Sequence, residues 1–466
     1  MLTSSIAAAL ASSFSSLDPL GFLFRTWSYK IGTVDILSHD VWERFMWFFR
    51  IGLGLVAAAA LILEGRAGRL GERLSRRATR RLEWLFVVLG FLAYFDFGNP
   101  NVRYANYYHR HEFYHYYLGA KYGHALGYTK LYDCTMVAEI DNGRGATVAK
   151  REIRDLTVNL IKPVAEIARV QNPDQCRSLF TPAEWEDFRK DVAWFESTAR
   201  GSYWENMQQD HGYNPPPVWT MEGKLVASLA PAGDLFFKLL AGIDIVFHIG
   251  ILALLAWGFG PRVSAIASVF WGSNAAGNFY WTGGAFLRHD WLFLLVACVV
   301  LLRKRRFGLA GAALTYSALL RVFPGIALAG VAIITAIHLL RHRTLHPAHR
   351  RFIAGCALTL GLLVPASVAV TSPEAYREFF SHIRVHNRTP LTNHMGLETM
   401  LVHDWSGRMR FTRDATLDDT FQKWKSGRLD RFAARRPAFA AISLGVLAWM
   451  AWALRRTRLL WVGASL

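Results

Sequence analysis

The stretch RKRRFGLAGAALTYSALLRVFPGIALAGVAIITAIHLLRHR (303–343) is an apolar run closed at both ends by arginine and lysine. Positive residues in short loops mark the cytoplasmic side of a membrane protein. With both ends on that side, residues 309–339 must cross the bilayer twice. As one helix they would reach about 50 Å, against a hydrocarbon core of about 30 Å. Pro324 supplies the break, because proline removes a backbone N–H and clashes with the preceding turn. Two short helices meeting near Arg321–Pro324 on the far side are expected.

Outward from there, apolar runs predict spans at 45–64, 82–97, 232–258, 263–284, 289–302, 308–321, 323–340, 351–371 and 438–454. The 466-residue chain is 52% hydrophobic, and its 19% of charged residues falls below the roughly 25% of soluble domains. The expected fold class is an all-α polytopic membrane protein. The formal charge of +18 then belongs to loops. No nucleic-acid-binding signature accompanies it, so nucleic acid is not an expected partner. The basic loops 64–83, 302–308 and 340–351 are assigned to the cytoplasm, which puts 98–231 and 372–437 on the extracytoplasmic side. The second of these is itself basic, with Arg408, Arg410, Lys423 and Arg435 among its charges. Its length weakens the charge rule, and anionic lipid headgroups would match it.

This divides the chain into an N-terminal segment with one span and a basic loop (1–81), and a first core helix with its loop (82–132). An insertion (133–210), a transmembrane core (211–371), a loop (372–437) and a last span with a stub (438–466) follow. The insertion contains TPAEWEDFRKDVAWFE, in which Thr181, Pro182 and Glu184 spell a capping box with proline at the first helical position. A small soluble folded unit is expected there. The start MLTSSIAAALASSF lacks a basic n-region, so no cleaved signal peptide is expected. The closing LLWVGASL reads as an interfacial stub or the edge of a longer protein.

Of four cysteines, Cys298 and Cys356 fall in apolar runs, whereas Cys134 and Cys176 lie in the polar loop. A disulfide between the latter two and a pair of free thiols both remain open. No Cys-x-x-Cys pair occurs, and no structural zinc site is expected.

Five places carry candidate chemistry. In RHEFYHYYLGAKY (110–122), helical spacing puts Glu112, Tyr116 and Gly119 on one face with His115 beside Glu112. Desolvation of Glu112 near a membrane face would raise its pKa and make it a general base. The tyrosines read first as an interfacial aromatic belt. A metal site built from His109, His111, His115 and His124 is the least supported reading. HGYNPPPVWTMEGKLVASLAP (211–231) forces an extended entry into an apolar segment too short to span, either a re-entrant or interfacial helix or an ordinary loop. Arg288, His289 and Asp290 end a hairpin, where an arginine can hold a phosphate through paired donors. A solvated turn is the plainer account. Arg321 sits in apolar sequence, where a guanidinium calls for an anion such as a lipid-linked phosphate or else snorkels to the interface. Finally, Asn387, Asn393 and His394 offer groups suited to sugar hydroxyls, or form a surface loop.

The order of these pieces resembles the GT-C superfamily of membrane glycosyltransferases, and most nearly glycosyltransferase family 87, the polyprenol-phosphate-mannose-dependent type. EFYHYYLGAKYGHALGYTKLYD (112–133) is similar to that family's first-loop acidic pattern, with Glu112 where Asp is usual, then Tyr116, Gly127 and Tyr132. YNPPPVWTMEGKLVASLAP (213–231) resembles its Tyr-x-Pro-Pro segment. The stretch 283–324 resembles its hairpin, basic turn and Lys-x-x-Pro break, with Arg321 for the usual Lys and Asp290 near the usual Asn. TNHMGLETML (392–401) resembles its late Asn-containing loop. The likeness covers about residues 82–400; the span at 45–64 and the size of the 133–210 insertion depart from it.

The resemblance implies a GT-C-like helix bundle with its active site on the extracytoplasmic side of a bacterial cytoplasmic membrane. A polyprenyl-phosphate-linked sugar, such as mannose, would be the donor. A glycolipid, glycan or protein hydroxyl would be the acceptor, attacking with inversion. Glu112 would be the base, and Arg321 and Arg288 would bind the donor phosphate. His115, His289, Asp290, Asn393 and His394 would contact sugar or acceptor. No cofactor is expected: some GT-C enzymes need a divalent metal, but this sequence has no clear acidic cluster to hold one. A lipid or glycolipid transporter or flippase, and a non-catalytic membrane assembly factor, are the alternatives.

Overall fold

The computed structural model describes residues 30–31, 34–35, 39–69, 75–98, 108–199, 201–274, 277, 279–389, 395–457 and 459–465. They are predominantly helical. The first helices are α1 (His39–Arg69), α2 (Arg76–Tyr94), α3 (Arg110–Lys121) and α4 (Leu131–Glu139). A hairpin of β1 (Glu152–Asp155) and β2 (Leu160–Pro163) precedes α5 (Pro182–Thr198) and α6 (Pro217–Ala227). Then come α7 (Asp234–Phe259), α8 (Pro261–Ser273), α9 (Asp290–Arg303), α10 (Phe307–Leu320) and α11 (Ala327–His342). The last are α12 (Pro347–Val370), α13 (Ala375–Asn387), α14 (Gln422–Leu454) and α15 (Leu460–Ala464). Among the described residues, five helices are long and apolar enough to cross a membrane, over Trp42–Ala67, Asp234–Phe259, Phe323–His342, Pro347–Val370 and Gln422–Leu454. The protein is an all-α membrane protein.

Contacts divide the chain into two units, residues 1–109 with 238–285 and residues 110–237 with 286–466. In the first unit α2 and α8 meet at backbone distance. A Cβ on Gly272 would lie 2.1 Å from the Gly90 carbonyl oxygen, and Ser268 Oγ donates to Val87 O at 2.7 Å. Small residues allow this approach where lipid supplies no hydrophobic drive between helices. Arg50 in α1 is buried and pairs with Asp96 at 2.6 Å, which offsets the cost of its charge.

In the second unit α10 and α12 use the same device. A Cβ on Gly311 would lie 2.1 Å from Phe352 O, and one on Gly355 would lie 2.0 Å from Gly308 O. Ser317 Oγ ties α10 to α9 by donating to Trp291 O at 2.7 Å. The break between α10 and α11 lies where Pro324 predicts it. Arg321 leaves the helix with φ −144° and ψ 131°, and a 3-10 turn at Phe323–Ile326 leads into α11.

Several predicted boundaries are corrected. The span expected at 263–284 ends at Ser273, because the Asn274 side-chain oxygen takes the Gly277 N–H at 3.3 Å and competes with the helix. The run 82–97 is helical only to Tyr94, since Asp96 and Phe97 turn to positive φ. Within the loop expected at 372–437, residues 375–387 are helical and α14 already begins at Gln422. Its arginines, lysines, leucine and alanines are good helix formers whatever their charge.

Residues 108–233 form a compact polar unit rather than a string of loops. Cys134 and Cys176 are bonded, with Cα atoms 5.4 Å apart, so the free-thiol option does not hold. The α5 capping box is present, Thr181 N–H to Glu184 Oε2 at 3.0 Å and Glu184 N–H to Thr181 Oγ1 at 3.3 Å. Glu139 is fully buried and pairs with Arg151 at 2.7 Å. Asp191 on α5 accepts from Lys121 Nζ, the Tyr122 hydroxyl and Ala232 N–H, each at 2.8 Å, and so locks α5 to the end of α3.

Candidate functional site on helix α3

Helix α3 carries Glu112 in its first turn and Lys121 in its last, the charge order its dipole favours. Its tyrosines are not an interfacial belt. Tyr114 and Tyr117 are fully buried, and their hydroxyls donate to Thr135 Oγ1 at 3.0 Å and Ala230 O at 2.8 Å. A belt needs rings at the lipid headgroups, whereas these are core pillars with partners far along the chain.

The face bearing Glu112, Tyr116 and Gly119 meets the 213–217 segment. A Cβ on Gly119 would lie 2.2 Å from the Tyr213 ring, so only glycine admits that ring. The Tyr116 hydroxyl donates to Asn214 Oδ1 at 3.2 Å. Pro216 and Pro217 then start α6, whose 11 residues make about 16 Å, too short to span. Of the two readings open for this stretch, the short helix holds.

Glu112 has a partner: Arg288 Nη2 lies 2.6 Å from its Oε1. The expectation of a carboxylate made basic by desolvation left out this guanidinium. Arg288 follows Leu287, a buried residue at φ 47°, whose carbonyl accepts the Trp219 indole N–H at 3.1 Å. Trp219 is fully buried, its ring 5.6 Å from Tyr116, and Arg321 Cζ lies 5.6 Å from its ring centre. The Tyr116 hydroxyl thus feels the charges of Glu112, Arg321 and Arg288 together. Burial, then the Glu112 carboxylate, pushes its pKa up to about 12, against the opposing pull of the two arginines. The predicted base and both predicted phosphate ligands are gathered around one phenol.

His289 and Asp290, both buried, open α9, and Asp290 is close enough to Tyr316 to act on it electrostatically. The Tyr316 hydroxyl itself donates to Glu222 Oε2 at 2.9 Å. Asn393 and His394 lie outside the described residues.

His115 turns to the adjacent face of α3. Its ring is 4.6 Å from that of His111, and His111 Nε2 lies 3.6 Å from Asp210 Oδ2. Ligand atoms of His111, His115 and Asp210 all fall within 4.8 Å of one another, a set that could hold a metal ion. The Asp210 carboxyl is held below its ordinary range: partial burial raises it, and the charges of His115 and His111 outweigh that. Asp210 is carried by a chain section pinned to the hairpin, where Arg154 N–H donates to Gln208 O and its Nε to Gln209 O, both at 2.9 Å.

Sequence reasoning ranks a histidine metal site last and misses Asp210, although a signal for the two histidines is there. His111-Glu112-Phe113-Tyr114-His115 has the spacing H-E-x-x-H, which puts two imidazoles on one helical face with a glutamate between them. Of the four histidines weighed for a metal, two come together. His124 is with Glu184 at 3.3 Å instead, and Asp210 supplies the third group. No family model, curated protein or solved structure matches the chain.

Proposed function

We propose that the protein is an integral membrane glycosyltransferase of GT-C type. It would move a sugar, with mannose the first candidate, from a polyprenyl-phosphate donor to an acceptor hydroxyl on a glycolipid, glycan or protein, on the extracytoplasmic side of a bacterial membrane. The observation that supports this reading is the grouping of Glu112, Arg288 and Arg321 around Tyr116. One carboxylate and two guanidiniums are what an inverting transfer from a phosphate ester uses.

In this reading the donor's phosphate enters beside Arg321 and draws Arg288 away from Glu112. That exchange frees the carboxylate at the moment the donor is in place. The acceptor hydroxyl passes its proton to Glu112 while its oxygen attacks the anomeric carbon from the face opposite the phosphate. The carbon–oxygen bond to the phosphate breaks, and polyprenyl phosphate leaves with the electron pair. Arg321 and Arg288 meet the charge that builds on the departing oxygens, where fixed donors are worth most. The short α6 and the break at Arg321 are compatible with a lipid-linked donor approaching these residues.

The test is turnover on membranes with a panel of radiolabelled polyprenyl-phosphate sugars. Glu112→Gln is expected to lower kcat by about 10²–10⁴-fold, the range for a lost general base, with donor binding retained. An assembly factor or flippase would tolerate that substitution. No transfer from any donor would overturn the proposal.

A further inference from the structure

The second face of α3 carries its own site, independent of the glycosyltransferase reading. We propose that His111, His115 and Asp210 bind one divalent transition-metal ion of the zinc class.

Three features of the geometry point this way. The first is spacing. Tetrahedral zinc with Zn–N and Zn–O bonds of about 2.0–2.1 Å sets its ligand atoms about 3.4 Å apart. His111 Nε2 and Asp210 Oδ2 are already 3.6 Å apart, and the whole set lies within 4.8 Å. A rotamer adjustment of the partly exposed His111 closes the rest.

The second is the tautomer of His115. Its Nδ1 lies 2.7 Å from the His111 carbonyl oxygen, which can only accept. The Met207 carbonyl oxygen near Nε2 can likewise only accept, but at 3.1 Å against 2.7 Å it has the weaker claim on the ring proton, so in the neutral ring Nδ1 carries it and Nε2 presents its lone pair. A backbone carbonyl fixing the far nitrogen is the usual support for a metal-binding imidazole. The lone pair faces the Tyr132 hydroxyl at 2.6 Å and, at 3.1 Å, the Met207 carbonyl oxygen. An Nε2 lone pair and a carbonyl oxygen in contact repel, and a cation beside them satisfies both.

The third is rigidity. His115, Tyr132, Met207 and Gln208 are buried, and the Tyr132 oxygen is fixed by Gly212 N–H at 3.0 Å. Only His111 and Asp210 face outward, which gives an entry path. Three protein ligands leave a coordination position for water, the pattern of an open site rather than a structural one. Two imidazoles select zinc, cobalt or nickel over magnesium or calcium. The rival account is a His–Asp ion pair closed by a proton on His115.

The experiment uses the full chain purified in detergent, stripped with chelator, dialysed and titrated with Co(II) and Zn(II). One ion per chain is expected by elemental analysis, with the strong visible absorption of four-coordinate Co(II). His111→Gln and Asp210→Asn should each weaken binding by more than the roughly 10–100-fold seen for outer-shell changes. His124→Gln should leave it intact. Near-ultraviolet circular dichroism and the retained Cys134–Cys176 bond confirm that the variants fold. No bound ion in the wild-type chain, or binding unchanged in both ligand variants, overturns the site. Neither result bears on glycosyl transfer, so the two proposals fail separately.

Discussion

The membrane helices and the 108–233 unit solve opposite problems with one chain. In α12 and α14 only 6% of the most apolar window is buried within the protein, and Leu358 and Leu362 stand exposed. Their apolar faces are suited to lipid, and their ties to the rest of the chain are local: glycine approaches to α10 for α12, and arginine pairs with residues 398–404 for α14. In the 108–233 unit Tyr114, Tyr117, Tyr132, Glu139 and Asp191 are all but fully buried, and each is hydrogen-bonded. Water is the solvent there, and every polar group withdrawn from it needs a partner inside. The first region is held by composition and tolerates change. The second is held by specific pairs and does not.

The sharpest way to break that contrast is to strand a charge. Arg151→Met leaves Glu139 buried without its guanidinium, and a loss of about 3–5 kcal/mol is expected in thermal unfolding followed by near-ultraviolet circular dichroism. Leu358→Ala in α12, at a 65% exposed position, should fall within about 0.5 kcal/mol of wild type. Equal losses from the two would erase the distinction. Next is Cys134→Ser, which opens a 42-residue loop and should cost about 2–4 kcal/mol in the same assay. The membrane region has its own weak points: Gly355→Val should cost about 1–3 kcal/mol by forcing α12 off α10, read from detergent-resistant melting.

The smallest effect is a pH term. Asp141 is held below the ordinary carboxylate value of 3.8: burial raises it, while bonds from Arg177 and Trp185 lower it further. Its folded pKa is depressed, so its contribution is present above that ordinary value and is lost as pH falls through the folded one. Asp141→Asn should therefore lower the melting temperature at neutral pH, and the gap to wild type should narrow in acid. A gap that is constant across pH would assign the loss to packing.

How much was legible in the sequence follows the same division. The break at Pro324 and the long apolar helices were readable, because hydropathy and proline act locally. The end of α8 was not, since hydropathy continues past it and only a side chain–backbone contact, Gly277 N–H to Asn274, marks the turn. Glu112 stood out as a carboxylate among rings, and the cysteine pair was one of two options. The pairing with Arg288 spans 176 residues, and no local pattern carries it. His111 and His115 were readable from their spacing, although the metal reading of them ranked last. Asp210 was not, because the hairpin brings it to α3 from a distant part of the chain.

Trp219 joins two parts of the proposed phosphate grip. Its ring lies beneath Arg321, and its indole N–H holds the carbonyl just before Arg288. One rigid bicycle thus sets the gap between two guanidiniums that come from separate turns. If the proposed transfer is right, it would work as a caliper whose jaw width filters donors. Trp219→Phe keeps a ring under Arg321 but releases the other jaw, so under the proposed reading the variant would forgive a misplaced phosphate while losing grip on the correct one.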